Sequence, residues 1–336
     1  MKHANVAFFV PHAGCPQQCS FCNQKTITGQ RGLPSPEEIR ETVEAALRSL
    51  GPRARDAEIA FFGGSFTAIP RSDMLFLLRS VQEYLALFRG IRISTRPDAV
   101  SEEILSLLRA FGVTAIELGA QSMDDRVLSL NRRGHSAEDV RRAAGLIRRG
   151  GFSLGLQMMT GLPGDSPAGA LHTAEELALL CPDTMRIYPT LVLRGTPLEA
   201  KLLAGEYEPE TLPEAAALSS RLLLFFEERG IPVIRLGLHA AEELSSSLLA
   251  GPFHPAFREL CESRIYLERA KSALEGRPPG EYTLLVAPRC VSKMAGQKKC
   301  NFRELSRLGF SCRAAESASL SPYDVEPLKK EEPRCF

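Results

Sequence analysis

The alternation of strand-like and helix-like segments constrains the fold more than any other feature of this sequence. Six short runs rich in β-branched and aromatic residues are each followed by a longer amphipathic stretch. The predicted strands lie near Val6–Val10, Glu58–Phe62, Ile91–Ser94, Ala115–Leu118, Leu154–Met158 and Met185–Tyr188. The helical patterns cover Pro36–Leu50, Ser72–Phe88, Ser101–Phe111, Ala137–Arg149, Ser166–Leu180 and Leu212–Arg229. Such units favour a parallel sheet with right-handed crossovers, and six are fewer than the eight of a closed barrel, so we predict an α/β fold with a partial (β/α)6 TIM-like barrel.

The strand–helix alternation stops after the sixth helix. Ile231–Leu236 could form one more strand, Pro255–Leu274 has the pattern of a long helix, and Tyr282–Ala287 that of a strand. From Ala314 onward the sequence shows no periodicity. We therefore predict the partial barrel over residues 1–236, a small α+β C-terminal extension over residues 237–313, and a flexible tail over residues 314–336.

The most unusual short sequences of the chain come directly after the predicted strands. In parallel α/β folds the carboxyl ends of the strands meet at one edge and carry the chemistry. In chain order these sequences are Cys15–Cys22, Gly63–Ser65, Thr95–Asp98, Gly119–Ser122, Thr160–Gly164 and Pro189–Thr190. Their common position predicts one functional site at this edge.

The first of these sequences contains three cysteines, Cys15, Cys19 and Cys22, within eight residues. Three thiolates this close together can hold a 4Fe–4S cluster and leave one iron open to a cofactor or substrate. A closed zinc site needs a fourth protein ligand, which His12 could supply. The bulky ring of Phe21 between two of the cysteines, and the position of the loop after a buried parallel strand, favour the cluster over zinc.

This cysteine spacing, in the first loop of such a barrel, resembles the radical S-adenosylmethionine (SAM) superfamily. The resemblance implies that the open iron binds SAM, and that one electron, from an external donor of the flavodoxin or ferredoxin type, cleaves it to a 5′-deoxyadenosyl radical. Phe61–Ser65 resembles the glycine motif of the superfamily. It implies that Gly63, Gly64 and Ser65 receive the methionyl end of SAM, where a larger side chain would block the approach. Phe21 is included among the expected cofactor contacts.

Four further sequences resemble the subfamily of the Elongator catalytic subunit and the oxygen-independent coproporphyrinogen oxidases. They are Ile93–Asp98, Glu117–Ser122, Asn131–His135 and Gln157–Asp165. By this resemblance Ser94, Gln121, Arg133 and Gln157 line the ribose, carboxylate and adenosine side of SAM. Gln157 stands where the coproporphyrinogen enzymes have an acid. From the residues alone, Arg133 could instead cap a helix and Gln121 could fill a polar core position. Glu117 could face the barrel interior and pair with a basic residue.

The chain also departs from both groups within this subfamily. Its first two cysteines are spaced as in the coproporphyrinogen group, more closely than in the Elongator subunit. We expect no room for the acetyltransferase domain of the Elongator subunit, and no counterpart of the N-terminal extension of the coproporphyrinogen enzymes. The resemblance therefore implies a short bacterial Elongator-like radical SAM protein with a C-terminal extension, to which neither reaction carries over directly.

A basic stretch lies in the C-terminal part of the sequence. Between Arg289 and Arg313 there are seven basic residues and one acid, in a chain whose net charge is only +1. Phe302 and Phe310 lie among these charges, and cations with interleaved aromatic rings can bind unpaired RNA. The expected RNA contacts are Arg289, Lys293, Lys298, Lys299 and Arg303. A solvated face over buried phenylalanines, or another anionic partner, stays open.

The nine cysteines and the lack of a long apolar run bear on the location of the chain. The apolar run Val6–Val10 is shorter than a signal peptide requires and is followed by a proline, so we expect a cytoplasmic protein with free thiols or metal ligands and no membrane contact. Cys290, Cys300 and Cys312 could hold an auxiliary cluster, although their spacing is irregular. Three functions stay open: a radical SAM enzyme that modifies RNA, expected to be tRNA; one that acts on a small molecule; and a metal-binding protein without turnover.

Overall fold

A computed structural model describes residues 4–10, 19–23, 32–238 and 242–329 of the chain. The chain divides into two compact units. The first unit comprises residues 1–211 and 222–253, and the second comprises residues 212–221 and 254–336. None of the described helices has the length and the apolar composition needed to cross a membrane.

The first unit is built on a seven-stranded parallel sheet in the order β1-β2-β3-β4-β5-β6-β8. Its strands are β1 (Asn5–Val10), β2 (Glu58–Gly63), β3 (Gly90–Thr95), β4 (Val113–Gln121), β5 (Ser153–Thr160), β6 (Thr184–Pro189) and β8 (Val233–Leu236); β7 (Val192–Leu193) pairs separately with β9 (Leu248–Ala250). The helices of this part of the chain are α1 (Pro36–Leu50), α2 (Arg71–Ser80), α3 (Glu102–Ala110), α4 (Asp125–Leu130), α5 (Ala137–Arg149), α6 (Pro167–Leu179), α7 (Pro197–Leu203), α8 (Leu212–Glu227) and α9 (Glu242–Ser247). The predicted strand–helix order is confirmed, including the seventh strand.

One side-chain contact shows that this sheet curls. The Arg186 guanidinium of β6 lies 4.9 Å from the centre of the Phe62 ring of β2. Four strand spacings separate β2 from β6, which in a flat sheet amounts to roughly 19 Å. The contact is possible only because the sheet bends toward itself, so the predicted partial barrel is confirmed.

Local sequence explains where the helices begin and where one prediction fails. Ser35 and Glu38 form a reciprocal capping box at the start of α1, with Pro36 at the first helical position. The helix predicted over Ser72–Phe88 instead ends at Ser80 and continues as a 3₁₀ segment, Gln82–Leu87. The Gln82 side chain donates to the Leu78 carbonyl at 2.8 Å, which is the acceptor that the Gln82 backbone would use in an α-helix.

The inner face of the sheet carries a buried ion network. Arg92 of β3 donates from Nε to Glu58 at 2.6 Å and from Nη1 to Glu117 at 3.2 Å. Arg186 places Nη2 2.8 Å and Nε 2.7 Å from the two Glu117 oxygens. Both arginines and both carboxylates have less than a sixth of their side-chain surface exposed. The expectation that Glu117 faces the interior and pairs with basic residues is confirmed.

The second unit contains a three-stranded sheet in the order β11-β10-β12. Strand β10 (Gly280–Val286) is parallel to β11 (Phe310–Glu316) and antiparallel to β12 (Val325–Lys329). Helices α10 (Phe257–Leu274), α11 (Val291–Ala295) and α12 (Cys300–Arg307) complete the unit. The predicted small α+β extension is therefore present.

The flexible tail expected from Ala314 is wrong for residues 314–329. The backbone N–H of Tyr323 donates to the buried Tyr266 hydroxyl of α10 at 2.9 Å, and the two rings lie 5.5 Å apart. The sequence of β12 hides the strand because it is a short edge strand that contains Pro327, which cannot donate to the ladder. Residues 330–336 lie outside the described part of the chain.

Candidate functional site

The carboxyl end of β4 carries the first predicted cofactor residue. Gln121 is buried and has a φ of 70°, a left-handed conformation uncommon outside glycine, at an irregularity in the β4–β5 register. Its Oε1 lies 3.5 Å from the Nε2 of Gln157 on β5. The structure therefore brings Gln121 and Gln157 together at the edge of the sheet where the site was predicted.

Arg133 joins this edge to the cysteine segment. Its Nη1 lies 3.0 Å from the Cys19 sulfur, and its Nη2 donates to the Gly119 carbonyl at 2.7 Å. The guanidinium carbon lies 6.0 Å from the centre of the Phe21 ring. A permanent positive charge at this place would offset the negative charge of a thiolate ligand. The residue does not act as a helix cap, which was the alternative from sequence.

Asn131 fixes the backbone between the cysteines, a role that the sequence did not reveal. The Ser20 hydroxyl donates to Asn131 Oδ1 at 2.6 Å, and the Ser20 backbone N–H donates to the Asn131 carbonyl at 3.1 Å. The Asn131 amide in turn donates to the carbonyls of Val127 and Pro163. Both side chains of the pair are fully buried, so this clamp holds Cys19 beside Arg133. The sequence signal that could have suggested it is the small polar residue Ser20 directly after Cys19.

His135 also contacts this edge of the sheet, a role that was not predicted from the sequence. Its Nε2 lies 3.2 Å from the Ala120 carbonyl, and its Nδ1 has no hydrogen-bond partner within the described residues. Burial, and then the charge of Arg133, lower the pKa of His135 to about 4. The ring is therefore neutral at pH 7, and its Nε2–H holds the backbone next to Gln121.

The glycine motif lies at the end of β2. Gly63 has a φ of 115°, which a residue with a Cβ rarely adopts, and the Gly64 N–H donates to the Val10 carbonyl at 3.1 Å. The buried Ser65 hydroxyl lies 2.8 Å from Thr95 Oγ1 and accepts from the Arg96 backbone N–H. Ser65 thus ties the ends of β2 and β3 together, and its contact with SAM stays a prediction.

Ser94 contacts the interior ion network. Its hydroxyl is 3.5 Å from Glu117, within the interior ion network. A role of Ser94 in binding SAM stays a prediction, and the contact that the structure shows is with this carboxylate.

The residues of this edge fit the cluster and SAM that the resemblance implies. Of the three cysteines, Cys15 lies outside the described residues, while Cys19 is buried and Cys22 half-buried. Arg133 Nε is buried without a hydrogen-bond partner in the part of the chain that the structure describes, so one strong donor is left for an anionic ligand. A Cβ added to Gly119 would lie 3.0 Å from Gln121 Nε2 and 3.4 Å from Arg133 Nη2, so the space between these groups depends on glycine.

The basic stretch belongs to the second unit. Lys298 and Lys299 are exposed, and both adopt positive φ, 49° and 59°. Lys293 instead lies 2.8 Å from the buried Glu262, so part of the excess positive charge is neutralised by an acid outside the stretch. Arg303 donates to the Lys298 carbonyl, and Arg289 donates its backbone N–H to Glu316.

Within the described residues no three Cys, His, Asp or Glu side chains form a metal-binding group. Cys290, Cys300 and Cys312 therefore do not form one there. Cys290 is buried, Cys312 is half-buried, and Cys300 is exposed. Burial raises the pKa of the Cys312 thiol to about 11.

Comparison with known proteins supports this picture. Residues 9–177 match the Radical SAM superfamily, and residues 182–267 match the Radical_SAM C-terminal domain. A tRNA uridine(34) acetyltransferase of Dehalococcoides mccartyi is 30% identical over 61% of this chain and 52% of its own length. An uncharacterized protein of Methanocaldococcus jannaschii is 28% identical over 75% of this chain and 74% of its own length. The solved structure of the archaeal Elp3 of Methanocaldococcus infernus superposes with a TM-score of 0.62 at 22% identity, over 83% of this chain and 69% of that one. This chain thus spans about half the length of the acetyltransferase that it matches.

Proposed function

The chain belongs to the radical SAM superfamily, and we propose that it is an enzyme that cleaves SAM reductively at a 4Fe–4S cluster held by Cys15, Cys19 and Cys22, in order to modify RNA, with tRNA as the expected class. When bound, the cluster and SAM would supply a 5′-deoxyadenosyl radical that abstracts hydrogen from the substrate. An external one-electron donor is required for this chemistry. The observation that carries the proposal is the Arg133 bridge between Cys19 and the end of β4.

The residues of the site have separate tasks in this proposal. Arg133 would hold the carboxylate of SAM with its unused Nε–H, while Gln121 and Gln157 would contact the ribose and adenosine side. Gly63 and Gly64 would let the methionyl end approach the backbone. Phe21 packs with the cluster of Val127, Met159 and Leu162, and this apolar wall would exclude water from the reacting groups.

Metal analysis tests the cluster. Protein reconstituted without oxygen should be brown and contain about four irons per chain. Cys22→Ala should lose this iron, whereas the exposed Cys181→Ala, which lies at the end of α6, should keep it. Equal iron content in the two variants would overturn the assignment of the cluster ligands.

RNA is proposed as the substrate class on two grounds. One curated relative is named a tRNA uridine(34) acetyltransferase, and the chain carries Lys298, Lys299 and Arg303 as exposed cations close together in sequence. Comparing the modified nucleosides of tRNA from a deletion strain with those of wild type tests this directly. We expect one nucleoside to be lost and restored by the wild-type gene, but not by a Cys22→Ala gene. An unchanged set of nucleosides would favour the small-molecule alternative.

A further inference from the structure

An arginine of the barrel interior lies outside the ion network and outside the proposed SAM site. Arg235 is on β8, one residue from the carboxyl end of the strand, and pairs in register with Arg186 of β6. Because neighbouring positions in register point to the same face of a sheet, both side chains lie on the inner face of the barrel. Two like charges directly opposite each other are destabilising. The pairing of these two arginines therefore needs a physical reason.

The two arginines differ in their partners. Arg186 contacts both oxygens of Glu117 and stacks on Phe62, so its guanidinium position is fixed by two neighbouring side chains. Arg235 donates only from Nε, to the carbonyl of Gly237 at 2.7 Å. Within the described residues no carboxylate lies in ion-pair distance of Arg235, and its two terminal nitrogens make no hydrogen bond there. Burial, and to a smaller extent the charge of Arg186, lower the pKa of the Arg235 guanidinium.

Tyr188 stands beside this pair. Its hydroxyl lies 3.4 Å from Nη1 of Arg186, which leaves the phenolic O–H able to donate elsewhere. Its ring packs on the cluster of Val127, Met159 and Leu162, the same cluster that Phe21 contacts between the cysteines. Arg186 is also in register with Gln157. The backbone of Arg235 therefore lies two strand spacings, roughly 10 Å, from that of Gln157, a proposed SAM contact.

We propose that Arg235 and Tyr188 form an anion subsite for the substrate, which takes a phosphate or carboxylate group next to the SAM-binding edge. The inference rests on the proposed function, because it assigns a negative charge to the substrate that the same barrel would bind. A planar guanidinium presents two parallel N–H donors that match the oxygens of either group, and a half-buried position strengthens the bond. The anion would also relieve the repulsion between Arg235 and Arg186.

The binding of small anions to the reconstituted protein tests this subsite. Inorganic phosphate and acetate are titrated separately into protein that holds its cluster and SAM without reductant, so that the proposed SAM contacts are occupied. We expect saturable binding of at least one of them; phosphate alone would indicate a phosphate ester, and acetate alone a carboxylate. Arg235→Gln should weaken this binding roughly tenfold or more, and Tyr188→Phe several-fold.

One further variant distinguishes the charge of Arg235 from its planar guanidinium, and a second is a control at another arginine. Arg235→Lys keeps the charge but loses the fork, so its affinity should lie between those of wild type and Arg235→Gln. Arg229→Gln makes the same change at an exposed arginine of the same unit, which stacks on Phe225, and should bind like wild type. Without ligand, Arg235→Gln should melt no lower than wild type, because it removes a like-charge pair.

The outcomes distinguish this proposal from the proposed function. Arg235→Gln binding both anions as tightly as wild type, or neither anion binding the wild-type protein, would overturn the subsite. Phosphate or acetate binding that depends on Arg235, in a protein that fails to cleave SAM, would keep the subsite and overturn the proposed function. SAM cleavage without any Arg235-dependent binding would do the reverse.

Discussion

Three arginines of the barrel interior and the exposed cations of the second unit differ in how their charges are held. In the interior, Arg92 and Arg133 are buried and Arg186 is largely buried, and each is fixed by contacts from two or more strands or loops. On the second unit, Lys298 and Lys299 are exposed in a turn, and the ion pair between Arg307 and Glu304 joins two exposed side chains. Buried charges are costly to leave unpaired and hold a geometry, whereas exposed charges cost little and attract partners at a distance. The comparison therefore separates charges that hold a geometry from charges that are accessible to a partner.

The largest expected effect is the loss of a buried partner. Glu117→Gln leaves Arg92 and Arg186 without their shared carboxylate, and the free energy of unfolding should fall by about 3–5 kcal/mol in urea titrations. The matched change on the second unit, Glu304→Gln, removes the exposed partner of Arg307 and should cost less than about 1 kcal/mol. Similar losses in the two variants would show that the two regions do not differ in this way.

The next effect depends on pH and belongs to the interior alone. The native pKa of His135 is about 4, below its ordinary value of about 6.5. As the pH falls from about 6.5 to 4, the unfolded chain takes up a proton that the native protein does not, so about 3 kcal/mol of stability present at neutral pH is lost in this window. His135→Gln should flatten this dependence, and the exposed His172→Gln should keep it. A wild-type stability that is constant across this window would contradict the buried, neutral imidazole.

A smaller effect concerns SAM affinity. Arg133→Lys keeps the charge beside Cys19 but loses the planar fork, so SAM should bind roughly tenfold more weakly in equilibrium dialysis while the iron content stays unchanged. The neighbouring exposed Arg132→Lys is the control and should bind SAM like wild type. Equal affinity in both variants would place the carboxylate of SAM elsewhere.

The smallest effect tests whether the exposed cations Lys298 and Lys299 contact RNA. If Lys298 and Lys299 meet RNA phosphates, replacing both by alanine should reduce the slope of log affinity against log salt by one to two units, at about 0.7 per contact for single strands. Replacing Lys271 and Lys329, two other cations of the second unit, should leave the slope unchanged. Release of 5′-deoxyadenosine without substrate should be the same in all of these proteins, because both pairs lie outside the barrel unit. Salt-independent RNA binding would return the basic stretch to a solvated face.

The sequence predicted those parts of the structure that depend on local patterns. The strand–helix alternation and the motifs at the strand ends depend on neighbouring residues, and the parallel sheet followed from them. The contacts that complete the site are long-range: Arg133 meets Cys19 across 114 residues and Ser20 meets Asn131 across 111. Lys293 was counted as free for RNA because its partner Glu262 lies on a different helix. Such pairings follow from the packing of the elements, which periodicity does not specify.

The reductive cleavage of SAM tests the central claim most directly. Reconstituted wild-type protein, given dithionite and SAM without oxygen, should release 5′-deoxyadenosine and methionine in equal amounts, and Cys22→Ala should release neither. Tight stoichiometric zinc in protein purified without oxygen, together with no 5′-deoxyadenosine after reconstitution with iron and sulfide, would contradict the claim.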